Sequence, residues 1–359
     1  MLFPALARAA DAPGLLRAED FRHYVDALNR SDPEDVNGGI SNAEAWAWMT
    51  RNVPYLACPD SDLELTYYYR WWAYRKHIEK TGAGYVITEF LRPVKHSTDY
   101  NAISCALGLH IAEGRWLHDA RYLDGYVDFW LHSGEGGGFE EHFHQFSGWL
   151  ADALYDRWLA DGNRPRLLAQ FAALRQDYAA WEKERLTASG LFWQRDVSDG
   201  MESSISGGRN VKNLRPTINS YMYANARALA AIAGMAGDAR ARAEYDRKAA
   251  ALRKLTQERF WNPKDQFFER CGRTARAPTC ASRSATPPGI SIRPRRARAS
   301  KSRGNSSWTR KAFTLRTAPP RRNGATPNSL SRPRATIASG TARVGPSLPA
   351  SRCARWPTC

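Results

Sequence analysis

Between residues 41 and 260, apolar positions recur at helical spacing, and polar or glycine-rich stretches divide them into segments. This periodicity predicts a series of helices whose ends are marked by capping residues. Ser41 with Glu44 and Ser61 with Glu64 match the capping-box pattern, and Gly82 is a candidate C-cap for the second of these helices. Further helices are predicted over residues 99–115, 118–133, 144–161, 164–186, 217–236 and 239–259.

The predicted helices pair into hairpins. Two-residue links at 116–117, 162–163 and 237–238 join three of the pairs, and links this short make neighbouring helices antiparallel. With the pair that begins at Ser41, this gives four hairpins. Helices such as the one from Ile218 to Ile232 are apolar on several sides, which indicates two layers of helices. The pattern therefore predicts an all-α fold, and an α-solenoid stays open although no fixed-period repeat is present.

Longer polar or glycine-rich connections separate the hairpins, at residues 52–60, 82–98, 134–143 and 187–215. The second of them contains a predicted strand from Tyr85 to Leu91. If the hairpins stack side by side, these connections emerge on one face, where loop-borne function is expected. That face is the candidate site.

The last quarter of the chain differs in composition from the rest. Residues 271–359 hold 19 of the 52 lysines and arginines and none of the 36 acidic residues, so the first 270 residues carry a net charge of −3. The same segment holds 11 of the 20 prolines. Without acids or large apolar side chains it cannot bury enough surface to offset its ordering entropy. We therefore predict a disordered, Arg/Pro/Ser-rich tail over 271–359 and a folded domain over 17–270.

The first 16 residues resemble the end of a secretory signal, because small residues at Ala7, Ala9 and Ala10 suit a cleavage site. The basic region that should precede them is missing, so a disordered N-terminus is the alternative. The first interpretation predicts a periplasmic or extracellular protein, and the second a cytoplasmic one. No apolar run approaches the ~20 residues of a membrane span, so we predict no membrane partner.

The connection over residues 189–209 has the residue types of glycoside cleavage. Asp196, Asp199 and Glu202 bring three carboxylates within seven residues, and Trp193 lies just before them. Carboxylates act as the acid and base of glycoside cleavage, and aromatic rings stack on sugars. A purely solvated or cap-forming acidic loop is the alternative.

A resemblance to a known family strengthens the catalytic interpretation. The run Asp199-Gly-Met-Glu202-Ser-Ser-Ile205 resembles the Ser-Gly-Met-Asp-Asn-Ser-Pro segment of glycoside hydrolase family 63 and mannosylglycerate-hydrolase-like enzymes. Stretches that begin at Arg215 and Glu140 resemble the same family, and the resemblance covers about 35–270. It implies an (α/α)6 barrel of six hairpins, inverting chemistry, and Glu202 as general acid, with Asp199 as the alternative. The chain departs from the family pattern with Glu for Asp and Ile205 for Pro.

Further positions are predicted to bind the sugar, and they lie in or beside the same stretches: Trp193, Asp196, His144, Gln145, Arg215, Asn219 and Tyr221. His142 and His144 could form a zinc pair, but two histidines without further ligands more often hydrogen-bond or pack. We therefore predict neither a metal nor a cofactor. The aromatic run that includes Trp71 and Trp72 is predicted to be core.

The tail is interpreted as the product of a frameshift near Arg270. Reading residues 314–327 in a shifted frame gives a string close to a family segment, and the stretches 287–294 and 333–349 behave in the same way. Four hairpins cannot close a six-hairpin ring, so the predicted fold is an incomplete barrel. In the family that the chain resembles, the general base comes from the last third of the barrel, so the expected activity of this chain is weak or absent.

The predicted partner is an oligosaccharide or glycoside, and the sequence leaves the sugar and the oligomeric state open. Two other functions stay open as alternatives. One is a non-catalytic carbohydrate-binding helical toroid. The other is adventitious binding of polyanions by the basic tail, with no specific nucleic-acid recognition.

Overall fold

Helices dominate the part of the chain that the computed structural model describes, which is residues 16–98, 100–200 and 208–272. The N-terminal segment through residue 15, Glu202 and the predicted tail from residue 273 onward lie outside these residues. The helical content confirms the predicted all-α class. The incomplete barrel stays a prediction. Within the described residues, no helix combines the length and apolarity needed to cross a membrane.

The α-helices follow one another with few strands between them. They are α1 Arg22–Ser31, α2 Asn42–Asn52, α3 Ser61–Lys76, α4 Leu107–Gly114, α5 Arg121–His132, α6 Leu150–Asp161, α7 Arg164–Ala169, α8 Phe171–Arg185, α9 Pro216–Ala236 and α10 Ala239–Phe260. The short strands are β1 Ile78–Thr81, β2 Gly84–Ile87, β3 Trp193–Arg195, β4 Lys212–Leu214, β5 Trp261–Asn262, β6 Phe267–Phe268 and β7 Cys271–Gly272.

Several predicted caps are present. Ser41 and Glu44 form the capping box at the start of α2, and Gly162 and Gly237 end α6 and α9 in the left-handed conformation. The second predicted capping box is wrong by one residue. Asp60 caps α3 with its carboxylate, because that oxygen accepts from the Asp62 and Leu63 backbone N–H groups.

The end of α3 differs from its prediction. The helix ends at Lys76, and β1 pairs antiparallel with β2, with Thr81 opposite Gly84. A two-residue turn at Gly82 and Ala83 joins the strands, so Gly82 lies in a hairpin and is not a helix cap. β2 ends at Ile87, before the predicted Leu91. The Thr88 N–H still bonds to the His77 carbonyl, but the Glu89 N–H donates to the Asn101 carbonyl at 3.0 Å and leaves the hairpin.

Helices α4 and α6 begin much later than predicted, because the residues before them bond to neighbouring loops. The stretch before α4 is held by Thr98, whose hydroxyl accepts from the Ala102 N–H at 3.2 Å. The stretch before α6 is held by the Ser147 N–H, which donates to the Ser198 carbonyl at 2.9 Å. The extra loop residues lie at the candidate site.

Helices α4, α6 and α9 lie side by side, with α6 between the other two. Trp149, which immediately precedes α6, packs against Tyr221 of α9 with ring centroids 4.5 Å apart and ring planes inclined by 40°. A Cβ added to Gly108, in the first turn of α4, would lie 2.3 Å from the same indole ring. The N-terminal ends of the three helices therefore lie together, and the helices run parallel.

The connections over residues 82–98, 134–143 and 187–215 lead into the N-terminal ends of these helices, so three of the four long connections reach one face, as predicted. The connection over residues 52–60 is the exception. The carbonyl of Asn52 accepts from the N–H of His118, which lies in the short link between α4 and α5, at the other end of α4. That connection therefore begins at the opposite end of the helices, and its predicted placement is wrong.

Candidate functional site

The loops that lead into α4, α6 and α9 contact one another directly. The Ser104 hydroxyl donates to the His142 carbonyl at 3.3 Å, and the backbone of Ser147 bonds to that of Ser198. Ile103 and Phe146 form a small apolar cluster between the first two loops. The loops that carry the described members of the predicted site thus meet on one face of the molecule.

A buried ion-pair triad fixes the acidic loop. Arg215, at the start of α9, contacts Asp196 at 2.5 Å through Nη1 and Asp199 at 2.6 Å through Nε. The Arg215 side chain is 1% exposed and both carboxylates are fully buried. The Asn213 amide also donates to Asp196 at 3.0 Å. Charges this deeply buried need such pairing, so the three residues hold the loop in one position.

Burial raises the pKa of the Asp199 carboxyl, although the charge of Arg215 and the hydroxyls of Ser147 and Thr217 oppose the change. A carboxyl that keeps its proton more readily suits a general acid. In the described residues, however, the Asp199 side chain is completely covered. Its contact with Arg215 indicates that Asp199 holds the loop in position.

Asn219 is buried and bonded to backbone groups on two sides. Its amide oxygen accepts from the Phe192 N–H at 2.8 Å, and its amide nitrogen donates to the carbonyls of Phe192 and Arg215, both at 2.8 Å. These bonds tie the segment before β3 to α9. A sugar contact by Asn219 or Arg215 stays a prediction.

Tyr221 and Trp149 form the aromatic part of the site, and both are half-buried. Burial, and to a smaller extent the negative charge of Asp199, raises the pKa of the Tyr221 hydroxyl, which therefore stays protonated as a donor. Sequence reasoning selected Tyr221 but missed Trp149. Its place directly before α6, in a stretch that resembles the family, was the available signal.

Both ring nitrogens of His144 contact carboxylates. Nε2 lies 2.8 Å from Asp177 and Nδ1 lies 2.8 Å from Glu184, both on α8. Burial opposes protonation, but the hydrogen bonds and charges of Asp177 and Glu184 outweigh it and raise the pKa of His144 to about 9. His144 thus anchors the loop before α6 to α8 as an imidazolium. Gln145, the next residue, is half-buried, and its contact with a sugar stays a prediction.

Two cationic side chains contact the Trp193 ring. The Arg185 guanidinium carbon is 4.4 Å from its ring centroid, and the Lys212 ammonium is 4.6 Å away. The side chain is 8% exposed and packs with Leu191, Leu214 and Phe260. These contacts give Trp193 a packing role, and its stacking on a sugar stays a prediction.

Asp152, in the first turn of α6, was not selected from the sequence. Burial and the nearby charge of Asp156 raise the pKa of its carboxyl to about 6. Its backbone N–H bonds to the Asn225 amide oxygen at 3.3 Å. In the sequence, Asp152 resembles Asp156 and Asp161 of the same helix and looks like a solvated residue, so only the packing of α6 against α9 distinguishes it.

Three residues at the start of the α6 loop, Glu140, Glu141 and His142, have ligand atoms within 4.8 Å of one another. His142 Nδ1 lies 3.0 Å from Glu140, which also accepts from the His142 N–H at 2.7 Å. Glu141 is 83% exposed. These contacts amount to a local hydrogen-bond pair with an exposed neighbour, and the predicted absence of a metal stays a prediction.

An all-α domain with carboxyl-bearing loops gathered at the N-terminal ends of adjacent parallel helices has the architecture of helical glycosidases. The chain belongs to the mannosylglycerate hydrolase MGH1-like glycoside hydrolase domain family, which it matches over residues 99–324. This range extends past Arg270 into the basic segment. The result confirms the family resemblance.

A solved structure titled "Sialidase" superposes on the chain with a TM-score of 0.70 and 43% sequence identity. The alignment covers 72% of this chain and 24% of that chain, so this chain spans about a quarter of that protein's length. Among curated proteins, no significant match is found.

Proposed function

We propose that the domain binds a glycoside at the face where the α4, α6 and α9 loops meet, and that its ancestral reaction is inverting hydrolysis of the glycosidic bond. The buried contacts of Arg215 with Asp196 and Asp199 carry this proposal. They fix the loop three residues before Glu202, the position that matches the family's general acid.

In the proposed reaction, Glu202 as a carboxylic acid donates its proton to the oxygen that leaves the sugar. A second carboxylate on the other side of the ring removes a proton from water, and the water oxygen bonds to the anomeric carbon. Inverting sites hold the two carboxyl groups ~6.5–9.5 Å apart to leave room for that water. Glu202 lies outside the described residues, so its assignment depends on the sequence resemblance.

We further propose that the chain as encoded has little or no turnover. The family's general base belongs to the last third of the barrel, and residues 271–359 contain no aspartate or glutamate. A frameshift near Arg270 would account for this composition. The family match continues to residue 324, past the proposed frameshift. Resequencing of the codons for residues 267–275 therefore tests whether the reading frame changes there.

The test compares the encoded chain with a frame-restored gene on a panel of aryl glycosides. We expect no release of the aryl group by the encoded chain, hydrolysis by the restored protein, and loss of that hydrolysis in its Glu202→Gln variant. Activity of the encoded chain that disappears with Glu202→Gln would contradict the proposed inactivity. Activity of the restored protein that survives Glu202→Gln would contradict the proposed acid.

A further inference from the structure

Two cations contact one indole ring beside the site, and a third cation lies opposite one of them on the neighbouring strand. Arg185 and Lys212 lie over Trp193, at 4.4 and 4.6 Å from its ring centroid. Arg195 is the direct cross-strand partner of Lys212 in the antiparallel pair of β3 and β4. We call Arg185, Arg195 and Lys212 the cationic cluster.

The position of these charges is unfavourable in the protein by itself. Like charges directly opposite each other in an antiparallel pair are destabilising, and Arg195 and Lys212 are such a pair. Burial lowers the pKa of Arg185. The negative charge of Glu184 opposes this change, and the positive charge of Arg195 adds to it. The cluster is therefore a place where the fold concentrates positive charge.

Acidic neighbours do not neutralise the cluster. Within the described residues, neither Arg195 nor Lys212 forms an ion pair with a carboxylate. The carboxylate nearest to Arg185 is that of Glu184, at 4.0 Å, and Glu184 already contacts the His144 imidazolium at 2.8 Å. Among the residues that the structure describes, a local positive charge therefore remains at this edge of the site.

Hydration and mutual repulsion favour separation of the three cations, yet Arg185 and Lys212 both contact the Trp193 ring. The Nε atom of Arg185 is also buried with no hydrogen-bond acceptor in the described residues. Guanidinium and ammonium groups side by side suit a carboxylate or a sulfate, which accepts several charge-assisted hydrogen bonds at once. Arg195 and Lys212 are exposed and can reach such a group from solvent.

The cluster is continuous with the acidic loop. β3 ends at Arg195, directly before Asp196, and β4 ends at Leu214, directly before Arg215. Arg195 and Lys212 therefore flank the acidic loop, and Asp196 of the buried triad directly follows Arg195. An anionic group held by the cluster would belong to a ligand that also reaches the loop.

We propose that the cationic cluster is a subsite for an anionic substituent, a carboxylate or a sulfate ester, on the carbohydrate ligand. This deepens the proposed function and rests on it for the sugar part of the ligand. The neighbouring site would thus select acidic over neutral saccharides.

The test is calorimetric titration of the full chain with trigalacturonate, its fully methyl-esterified counterpart, a sulfated galactose trisaccharide and the unsulfated trisaccharide. At least one acidic ligand should bind about tenfold or more tightly than its neutral counterpart. Lys212→Gln and Arg195→Gln should each remove most of that preference. Arg240→Gln, which removes the same charge from an exposed position at the start of α10, should keep it.

The outcomes separate this inference from the proposed function. Equal binding of the acidic and neutral ligands would overturn the anionic subsite and leave carbohydrate binding in place. A preference lost equally in Arg240→Gln would also overturn it, since the effect would then be one of overall charge. Failure of all four saccharides to bind would also overturn the anionic subsite, whereas the proposed function is judged by the aryl-glycoside assay of the frame-restored protein. The ligand that binds best distinguishes a carboxylate from a sulfate.

Discussion

Single buried charges fix the candidate site. Arg215 bonds to two carboxylates, and His144 bonds to two others on α8. Each cation joins a loop to a helix, and its ion pairs therefore hold that loop in position. Both residues were selected from the sequence as sugar contacts, and the structure gives both a supporting role.

Replacing Arg215 by methionine should destabilise the fold strongly. The change leaves Asp196 and Asp199 buried without their cation, which costs about 3–5 kcal/mol of unfolding free energy. Urea unfolding followed by tryptophan fluorescence measures the loss. Arg240→Met, at an exposed position, is the matched control and should change the midpoint little. Equal midpoints for the two variants would refute the role of the triad.

His144 should make stability depend on pH above neutrality. Its pKa is raised from 6.5 to about 9 in the folded protein, so the protonated ring stabilises the fold fully below pH 6.5. That contribution, roughly 3 kcal/mol from the shift, is lost as the pH rises towards 9. His144→Gln should be less stable than the parent at pH 6 and should show a flatter profile between pH 6.5 and 9. Parallel profiles for the two proteins would exclude this role.

At the scale of elements, close contact between helices depends on glycine. Gly108 of α4 allows Trp149 to approach, and Trp149 in turn packs against Tyr221 of α9. The contact joins the N-terminal ends of three helices. Their N-terminal ends, and hence the loops of the site, are held together by it.

Gly108→Ala should therefore weaken the site and the fold. Its Cβ would lie 2.3 Å from the Trp149 ring, and such overpacking costs about 1–3 kcal/mol. Gly234→Ala in α9 is the matched control, because its Cβ would meet Arg242 at an ordinary 3.5 Å. Helix propensity should make that variant more stable by about 0.5–1 kcal/mol. Thermal unfolding and near-ultraviolet circular dichroism of the aromatic rings compare the two, and opposite signs are expected.

At the scale of the whole molecule, charge is divided unevenly along the chain. The first 270 residues carry a net charge of −3, whereas residues 271–359 carry 19 cations and no acids. The overall charge of +16 thus describes neither part. Any attraction to polyanions is expected to come from the second part and to have no sequence specificity.

Gel-shift binding to duplex DNA tests that expectation. The full chain should bind with an affinity that falls steeply with salt, since each phosphate contact releases counterions. Deletion of residues 273–359 should abolish the shift. Affinity that survives the deletion would place the binding surface in the helical domain.

The helices themselves were largely predictable. Residues 217–236 and 239–259 were predicted within a residue or so of α9 and α10, because long amphipathic runs with glycine or aspartate caps determine a helix locally. The ends that failed, at Lys76, Leu107 and Leu150, adjoin segments held by bonds to residues distant in the chain. Local periodicity contains no information about such bonds.

The sequence by itself determined the helical class, the family and the loop that bears the acids, since these depend on periodicity, caps and a short run of residues. Only the tertiary structure decided which charges are buried and what each one contacts. Arg215, His144 and Trp193 look like ligand residues in a linear chain, yet the residues that they contact, Asp196, Asp177 and Lys212, lie on other segments and are not their neighbours in the sequence. Burial and long-range pairing set the energy of a charge, and both arise only when the helices pack.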